Sequence, residues 1–192
     1  DETWIYQYDP ESKQESMQWI KKGKKPPRKF KVQRMATKLM ETIFWDSAGI
    51  LLVDYLPRGR MMNSQYYADL IIKLRQAIIE KRRSKLSRGI LLLQDNAPVH
   101  TAQVARRAVR DMGFEEINHP PYSPDLATSD FYLFKDLKKA LRGRRFFDEN
   151  EMKSAVDEHF ADQVSEYFFR GIKQLHGRCE KCIEIDRDYV AM

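Results

Sequence analysis

Three aspartates in this sequence stand where carboxylates could converge to bind a divalent metal ion. Asp95 follows the apolar run at 90–93, which is typical of a strand buried on both faces, and 34 residues separate it from Asp130. Asp1 precedes a stretch of alternating aromatic residues that is typical of another strand. Mg²⁺ prefers oxygen ligands, and two such ions about 3.5–4 Å apart can activate a water or a 3′-hydroxyl for attack on a phosphodiester.

Two acidic positions also have simpler structural explanations. Asp130 follows a loop and begins a predicted helix, where an acid can cap the first turn and interact favourably with the helix dipole. Asp125, in the sequence SPDL, is better explained as a turn residue that stabilises its own loop. The spacing along the chain permits the carboxylates at positions 1, 95 and 130 to converge but does not establish that they do.

The pattern of apolar residues predicts the elements that would position these side chains. Runs of β-forming residues predict strands at 2–8, 38–46, 50–56, 90–93 and 114–118, of which the second and third form a hairpin. Helical periodicity and capping residues predict helices that begin near residues 63, 101, 130, 149 and 165. Buried strands that alternate with helices indicate a mixed α/β sheet with helices on both faces.

Basic residues are concentrated in two segments of the chain. Residues 21–31 contain seven basic side chains and no acid, and residues 135–145 contain six basic side chains and one acid. Such segments suit the phosphates of a nucleic acid, although each alone is explained equally well as a solvated face. The net charge of +6 permits a polyanionic partner without requiring one.

Length and cysteine content narrow the class of protein. A chain of 192 residues that is 42% hydrophobic can bury one sizeable core, which favours one domain. Cys179 and Cys182 are too few for a disulfide scaffold, which favours a reducing compartment, and a lone CxxC pair is a weak signal for zinc. No apolar run approaches the roughly 18 residues of a membrane span and no signal peptide is visible, so the sequence predicts a soluble intracellular protein.

Four motifs together resemble the catalytic domain of the mariner family of DNA transposases, within the Tc1/mariner superfamily. They are DETWIYQYDP, QWIKKGKKPP, QDNAPVHTA and HPPYSPDLATSDFYLF. The family carries an Asp-Asp-34-Asp triad, which the spacing of Asp95 and Asp130 matches. The resemblance implies a ribonuclease-H-like fold with a mixed five-stranded sheet. It also implies a single catalytic domain over residues 1–192, with a basic insertion at about 9–33 that resembles the family's DNA-contacting clamp loop.

The resemblance further implies metal-dependent DNA cleavage and strand transfer in cut-and-paste transposition. Asp1, Asp95 and Asp130 would hold two Mg²⁺ (or Mn²⁺) ions, and Asn96 and His100 would support the metal ligands or contact phosphate. The implied partners are the transposon ends and a TA target, with a homodimer as one arrangement and the nucleus as the location. The residues expected to contact the DNA backbone are Lys21, Lys22, Lys24, Lys25, Arg28, Lys29, Lys138, Lys139, Arg142, Arg144 and Arg145.

Departures from the family pattern leave alternatives open. The two helix-turn-helix modules that precede the catalytic domain in relatives are not part of this sequence, so a fragment of a longer protein and a decayed element both fit. Gln94 stands where many relatives have His. If Asp1 carries a free α-amino group, that partly cationic group would repel Mg²⁺ and weaken activity.

Two other functions also stay open from the sequence. The first is an inactive transposase remnant that binds DNA or a protein partner through its basic surface. The second is a ribonuclease H that cleaves RNA–DNA hybrids, against which both the aspartate spacing and the SPDLATSD loop argue.

Overall fold

The computed structural model describes residues 1–11, 17, 38–186 and 188–190. Its strands are β1 (Glu2–Tyr6), β2 (Lys38–Asp46), β3 (Gly49–Tyr55), β4 (Ile90–Leu93) and β5 (Phe114–Ile117). Its α-helices are α1 (Ser64–Arg82), α2 (Pro98–Thr101), α3 (Gln103–Asp111), α4 (Lys135–Leu141), α5 (Glu149–Ala161) and α6 (Ser165–Glu184). A 3₁₀-helix (Arg83–Arg88) follows α1, and a 3₁₀-turn (Pro124–Leu126) and a π-helix (Ser129–Phe134) precede α4.

The five predicted strands all form, but they are divided between two sheets in the described part of the chain. β1, β2 and β3 form an antiparallel sheet with β2 in its centre, and β4 and β5 pair in parallel. The predicted hairpin is therefore confirmed, whereas no backbone ladder joins β1 to β4 and the five-stranded sheet is interrupted there. β1 begins only at Glu2, and the contact toward β4 is made by the preceding residue, Asp1, whose carboxylate accepts the N–H of Asp95 just past the end of β4.

Helices cover both faces of the strands, as the sequence pattern predicts. On one face, the side chains of α4, α5 and α6 pack on Ile5, Leu39 and Ile43 of the first sheet. On the other face, α1 and α3 pack on β3, β4 and β5, with the buried side chains of Tyr67 and Leu74 at the centre of that cluster. No helix in the described ranges is both long enough and apolar enough to cross a membrane.

Helix boundaries differ from the prediction around His100 and at the end of the chain. The helix predicted to begin at Thr101 is divided, because the extended backbone of Ala102 separates α2 from α3. α3 packs through Ala105 and Val109, whereas Val104 beside them is 46% exposed. α6 continues to Glu184, so that both cysteines lie on it as free thiols.

One buried carboxyl group in the first sheet has no hydrogen-bond partner among the described residues. Glu41 on β2 is fully buried, and neither of its carboxylate oxygens accepts a hydrogen bond. Burial raises the pKa of Glu41 to about 8, with Lys138 opposing the increase and Asp157 adding to it. Between about pH 4.5 and pH 8, folding therefore takes up a proton at Glu41, because the unfolded chain has already released it.

We expect the substitution Glu41→Gln to remove this pH dependence. Because the folded-state pKa is raised, the stability of the parent chain falls as pH rises from about 4.5 through about 8. The variant should match the parent at pH 5 and exceed its unfolding free energy at pH 8.5 by about 1–3 kcal/mol, the scale of an unpartnered buried polar group. Urea unfolding at both pH values measures this. The exposed Glu115→Gln should change neither value, and equal behaviour of the two variants would refute the assignment.

Candidate active site

The first two predicted aspartates meet where the two sheets approach each other. Asp1 lies at the start of β1, and its backbone exchanges hydrogen bonds with Ile43, of 3.1 Å from the Ile43 amide and 3.4 Å to the Ile43 carbonyl. The backbone N–H of Asp95, just past the end of β4, donates to Oδ1 of Asp1 at 3.4 Å. The Asp1 carboxylate therefore lies against the backbone of Asp95, and the convergence of the carboxylates as a metal site stays a prediction.

One carboxylate oxygen of Asp95 accepts hydrogen bonds within the protein, and the other can bind a ligand. Its Oδ1 accepts the N–H of Ala97 at 2.9 Å and lies 2.7 Å from Nδ1 of His100. Among the described residues, Oδ2 has no hydrogen-bond partner, and the side chain is 47% exposed. The hydrogen bond from His100 lowers the pKa of Asp95 to about 2, because it outweighs the opposing effect of burial. Asp95 is therefore an anion at every physiological pH.

Asp130 lines the same cleft as Asp95, but its pKa is shifted in the opposite direction. It lies in the first turn of the π-helix, and its carboxylate has no hydrogen-bond partner among the described residues. Burial raises the pKa of Asp130, and the negative charge of Asp95 adds to the increase, while the α-amino group of Asp1 and Lys138 oppose it. Asp95, Asn96, His119 and Asp130 line a cavity of about 440 Å³. The capping role expected from sequence is therefore incomplete as an explanation, since Asp130 lines the same cavity as Asp95.

The side chain of His100 connects the β1 side of the site to the β4 side. It is fully buried on α2, with Nδ1 toward Asp95 and Nε2 3.2 Å from Oε2 of Glu2 on β1. Burial alone would lower the pKa of His100, but its hydrogen bonds to the two carboxylates outweigh this effect and raise the pKa to about 9. The same ion pair lowers the pKa of Glu2 although burial opposes it. A contact between His100 and phosphate is incompatible with this burial, and its position suits support of Asp95.

A second set of hydrogen bonds supports the residue before Asp95. The hydroxyl of Tyr67 donates to Oε1 of Gln94, and Nε2 of Gln94 donates to Glu116 at 2.9 Å. The ring of Tyr67 also packs on His100, with centroids 4.1 Å apart. Gln94, which stands where many relatives have His, therefore uses both ends of its amide to join α1 to β5.

The loops around the cleft are held by two further contacts. Nδ2 of Asn96 donates to the carbonyl of His119 at 2.6 Å, which joins the chain after β4 to the chain after β5. Asp125 is 3% exposed, and its carboxylate accepts the N–H of Val190 at 2.9 Å, 65 residues along the chain. The expectation that Asp125 stabilises only its own turn is wrong, because its partner is the C-terminal segment.

The structure places only one of the two basic segments. Residues 21–31 lie outside the described residues, so the positions of Lys21, Lys22, Lys24, Lys25, Arg28 and Lys29 are not assigned. Lys138 and Lys139 are exposed on α4, and Arg144 and Arg145 are exposed just after it. Arg142 is half-buried and lies 3.8 Å from Asp9. The N–H of Gly143, whose φ is +79°, donates to the carbonyl of Asp9 at 2.8 Å and fastens this segment beside the end of β1.

The donor chemistry of the three aspartates fits a divalent cation. Each carboxylate has at least one oxygen without a hydrogen-bond partner in the described residues, and burial, with a smaller contribution from the charge of Asp95, raises the pKa of Asp130. Within residues 1–11, 17, 38–186 and 188–190, no three His, Cys, Asp or Glu side chains are already arranged as a metal site. Mg²⁺ does not need such a cage, because it keeps several waters and binds through one or two carboxylates plus substrate phosphate.

Sequence reasoning missed two residues of this site. Glu2 follows Asp1 directly and was not assigned a role, although it provides the second carboxylate for His100. Tyr67 lies within α1, where the helical pattern alone gives it no role in the site. Gln94, the partner of Tyr67, is 27 residues away in sequence, and His100, the partner of Glu2, is 98 residues away. No local sequence pattern therefore identifies these contacts.

Comparisons with known proteins agree with this geometry. The family model described as transposase (partial DDE domain) matches residues 9–88. The mariner Mos1 transposase of Drosophila mauritiana is 34% identical over 192 residues, which cover 99% of this chain and 55% of that protein. The chain therefore spans about half the length of this curated relative.

Solved structures of the same relative match along the chain. The crystal structure of the catalytic domain of Mos1 mariner transposase superimposes with a TM-score of 0.82 at 32% identity, covering 100% of this chain and 82% of that one. The crystal structure of the Mos1 mariner paired end complex with Mn gives a TM-score of 0.92 at 33% identity, covering 100% and 55%. The predicted ribonuclease-H-like α/β fold is thereby confirmed.

We expect His100→Leu to destabilise the protein strongly, since it leaves the Glu2 and Asp95 carboxylates without their shared counter-charge. Removal of one partner from a buried ion pair typically costs about 3–5 kcal/mol of unfolding free energy. Urea unfolding at pH 7 measures the loss. His176→Leu, at a side chain that is 81% exposed on α6, should stay within about 0.5 kcal/mol of the parent. Similar values for the two variants would show that the buried network contributes little.

Proposed function

The chain belongs to the mariner transposases, whose catalytic domain it matches, and we propose that it cleaves DNA at transposon ends and transfers the resulting 3′-hydroxyl to a TA target. The observation that carries this proposal is that Asp95 and Asp130 line one cleft, while the Asp95 amide donates a hydrogen bond to the Asp1 carboxylate. Residues 1–192 act as one catalytic domain in this proposal, with an insertion at about 9–33 that contacts DNA.

Each carboxylate has a distinct role in the proposed site. Asp95, fixed by Ala97 and His100 through one oxygen, presents its second oxygen in a single orientation. Asp1 is positioned by the β1–β2 ladder, and Asp130 by the π-helix that faces the cleft. A divalent cation bound by these residues would supply Lewis-acid activation of the attacking oxygen and neutralise charge on the phosphodiester.

Mg²⁺ or Mn²⁺ is the proposed cofactor, with two ions during catalysis. Support comes from the unpartnered oxygens of the three aspartates and from the Mos1 paired end complex, which was solved with Mn. Asn96 lies at the rim of the same cleft and is exposed, so it can contact a DNA phosphate through groups that it does not use on His119.

DNA is the proposed partner, and its backbone is bound by basic side chains beside the cleft. Lys138 influences the titration of Asp130, which places its positive charge within electrostatic range of the acidic site. Lys139, Arg144 and Arg145 extend the exposed basic face from α4. Arg142 and the basic residues of 21–31 complete the proposed contact set. Assembly as a homodimer on paired DNA ends and a nuclear location follow from the same proposal.

We expect Asp95→Asn to abolish metal-dependent nicking of supercoiled plasmid. The substitution removes a ligand charge and little volume, and a loss of at least about 100-fold in rate is expected if the residue contacts the reacting centre. Asp111→Asn, at an exposed position on α3, is the matched control and should keep the parental rate. Circular dichroism confirms that both variants are folded. Equal nicking by Asp95→Asn and the parent would reject the enzymatic proposal and favour an inactive DNA-binding remnant.

We expect the basic side chains of α4 to contribute to the salt dependence of DNA binding. Neutralising Lys138 and Lys139 with Gln should reduce the slope of log K against log salt by about 1.8, or about 0.9 for each lost phosphate contact. Fluorescence anisotropy with a duplex at several salt concentrations measures the slope. Arg106→Gln with Arg107→Gln removes the same charge from the exposed side of α3, which packs on the opposite face of the fold. The same slope in both double variants would show that DNA does not bind to the basic face of α4.

A further inference from the structure

Asp130 lies on a segment of unusual backbone geometry. Residues Ser129–Phe134 form a π-helix that continues directly into α4. A π-helix closes each hydrogen bond over five residues where an α-helix uses four, is rare in proteins, and occurs frequently at functional sites. Since α-helical geometry is the usual form of such a segment, contacts from neighbouring elements must hold these six residues in the wider turn.

Tyr132 of the π-helix packs directly on the backbone of α6 at Gly171. A Cβ atom at position 171 would lie 2.6 Å from Cδ1 and 2.8 Å from Cε1 of Tyr132, and 3.0 Å from Cη2 of Trp45. The hydroxyl of Tyr132 donates to the carbonyl of Tyr167, one turn earlier on α6, at 3.0 Å. Only glycine fits at position 171 with the Tyr132 ring in this place, although glycine in the interior of a helix is less stable than alanine.

Two further contacts hold the residues on either side of Asp130. Nε1 of Trp45, on β2, donates to Oγ of Ser129 at 3.1 Å. The guanidinium of Arg178, on α6, lies 4.3 Å from the centre of the Phe131 ring. Both neighbours of Asp130 are therefore attached to elements outside their own helix, whereas Asp130 itself lines the cleft.

We propose that Gly171 is a positioning residue for Asp130. The space that Gly171 leaves for the Tyr132 ring selects the π-helical form of residues 129–134, and this form places Asp130 in the cleft that Asp95 also lines. This role rests on the proposed function, because Asp130 needs a defined position only as a ligand of the catalytic cation. Gly171 itself contacts neither the cation nor DNA in this role.

A side chain at position 171 would change the direction of Asp130. It would displace Tyr132, and residues 129–134 would then form α-helical hydrogen bonds with one residue fewer in each turn. A shift of one residue turns a side chain by about 100° around the helix axis, which takes Asp130 away from Asp95. The other two aspartates would stay in place, because their hydrogen-bond partners lie on β2 and α2 rather than on α6.

The test compares Gly171→Ala with Gly177→Ala on the same helix. Both substitutions add one methyl group and the same helix propensity, but nothing lies within 4 Å of a Cβ atom at position 177. In Gly171→Ala, we expect the amide signals of residues 129–134 to shift in the absence of metal, because the hydrogen bonds of this segment change. Gly177→Ala should leave these signals at their parental positions.

Titration with Mn²⁺ then separates positioning from a general structural effect. In Gly171→Ala, Mn²⁺ should no longer broaden the amide signals of residues 129–131, while broadening at residues 1–2 and 95–97 should persist. The affinity for Mn²⁺ should fall about 10–100-fold, as when a residue that supports a metal ligand is lost. Gly177→Ala should match the parent in both measurements.

A second variant removes the same contact from the side of the π-helix. Tyr132→Ala keeps the test decisive if Gly171→Ala does not fold, because Tyr132 is only partly buried and its loss should leave the fold intact in circular dichroism. We expect the same shift of the signals of residues 129–134 and the same loss of broadening at residues 129–131.

The outcomes separate this inference from the proposed function. Parental signals at residues 129–134 in both variants would overturn the inference. An equal loss of Mn²⁺ broadening at all three aspartates in a folded Gly171→Ala would also overturn it, since this would show a general structural role. A parent chain in which Mn²⁺ broadens the signals of none of the aspartates would reject the proposed function, while shifted signals at residues 129–134 would still support control of the helix register by Gly171.

Discussion

The ion pair of His100 with Glu2 and Asp95 is the interaction on which the site depends. β1 and β4 share no backbone ladder, so the carboxylates at their ends are held in place by side chains and by the hydrogen bond from the Asp95 amide to Asp1. His100 reaches both strands from α2, where it is fully buried. An imidazolium between two carboxylates satisfies each buried charge, and loss of any one would leave the others uncompensated.

The same interaction gives the three aspartates different properties. Asp95 is held as an anion that accepts hydrogen bonds through one oxygen. Asp130 is half-buried and has no hydrogen-bond partner among the described residues, and its burial, together with the charge of Asp95, raises its pKa. A cation placed between them would relieve that repulsion, which gives the cleft a physical reason to attract one. The absence of a closed three-ligand cluster in the described residues is compatible with Mg²⁺, which completes its shell with water and substrate phosphate.

The strands and most helices were predictable because their signals are local. Apolar runs at 90–93 and the capping Asn63 of α1 identify elements from a few adjacent residues. The pairing of Glu2 with His100 and the anchoring of Asp125 by Val190 were not predictable, since these partners are 98 and 65 residues apart. Leu91 is exposed although its apolar strand is typical of burial on both faces, because no described element covers it beside β1.

The central claim is that Asp1, Asp95 and Asp130 form one cation site. Paramagnetic broadening of backbone amide signals by Mn²⁺ tests it most directly, because the effect falls steeply with distance from the ion and needs no DNA. We expect substoichiometric Mn²⁺ to broaden the amide signals of residues 1–2, 95–97 and 129–131, while those of residues 106–110 on α3 stay sharp. Broadening centred on Cys179 and Cys182, or on no group of residues that includes all three aspartates, would contradict it.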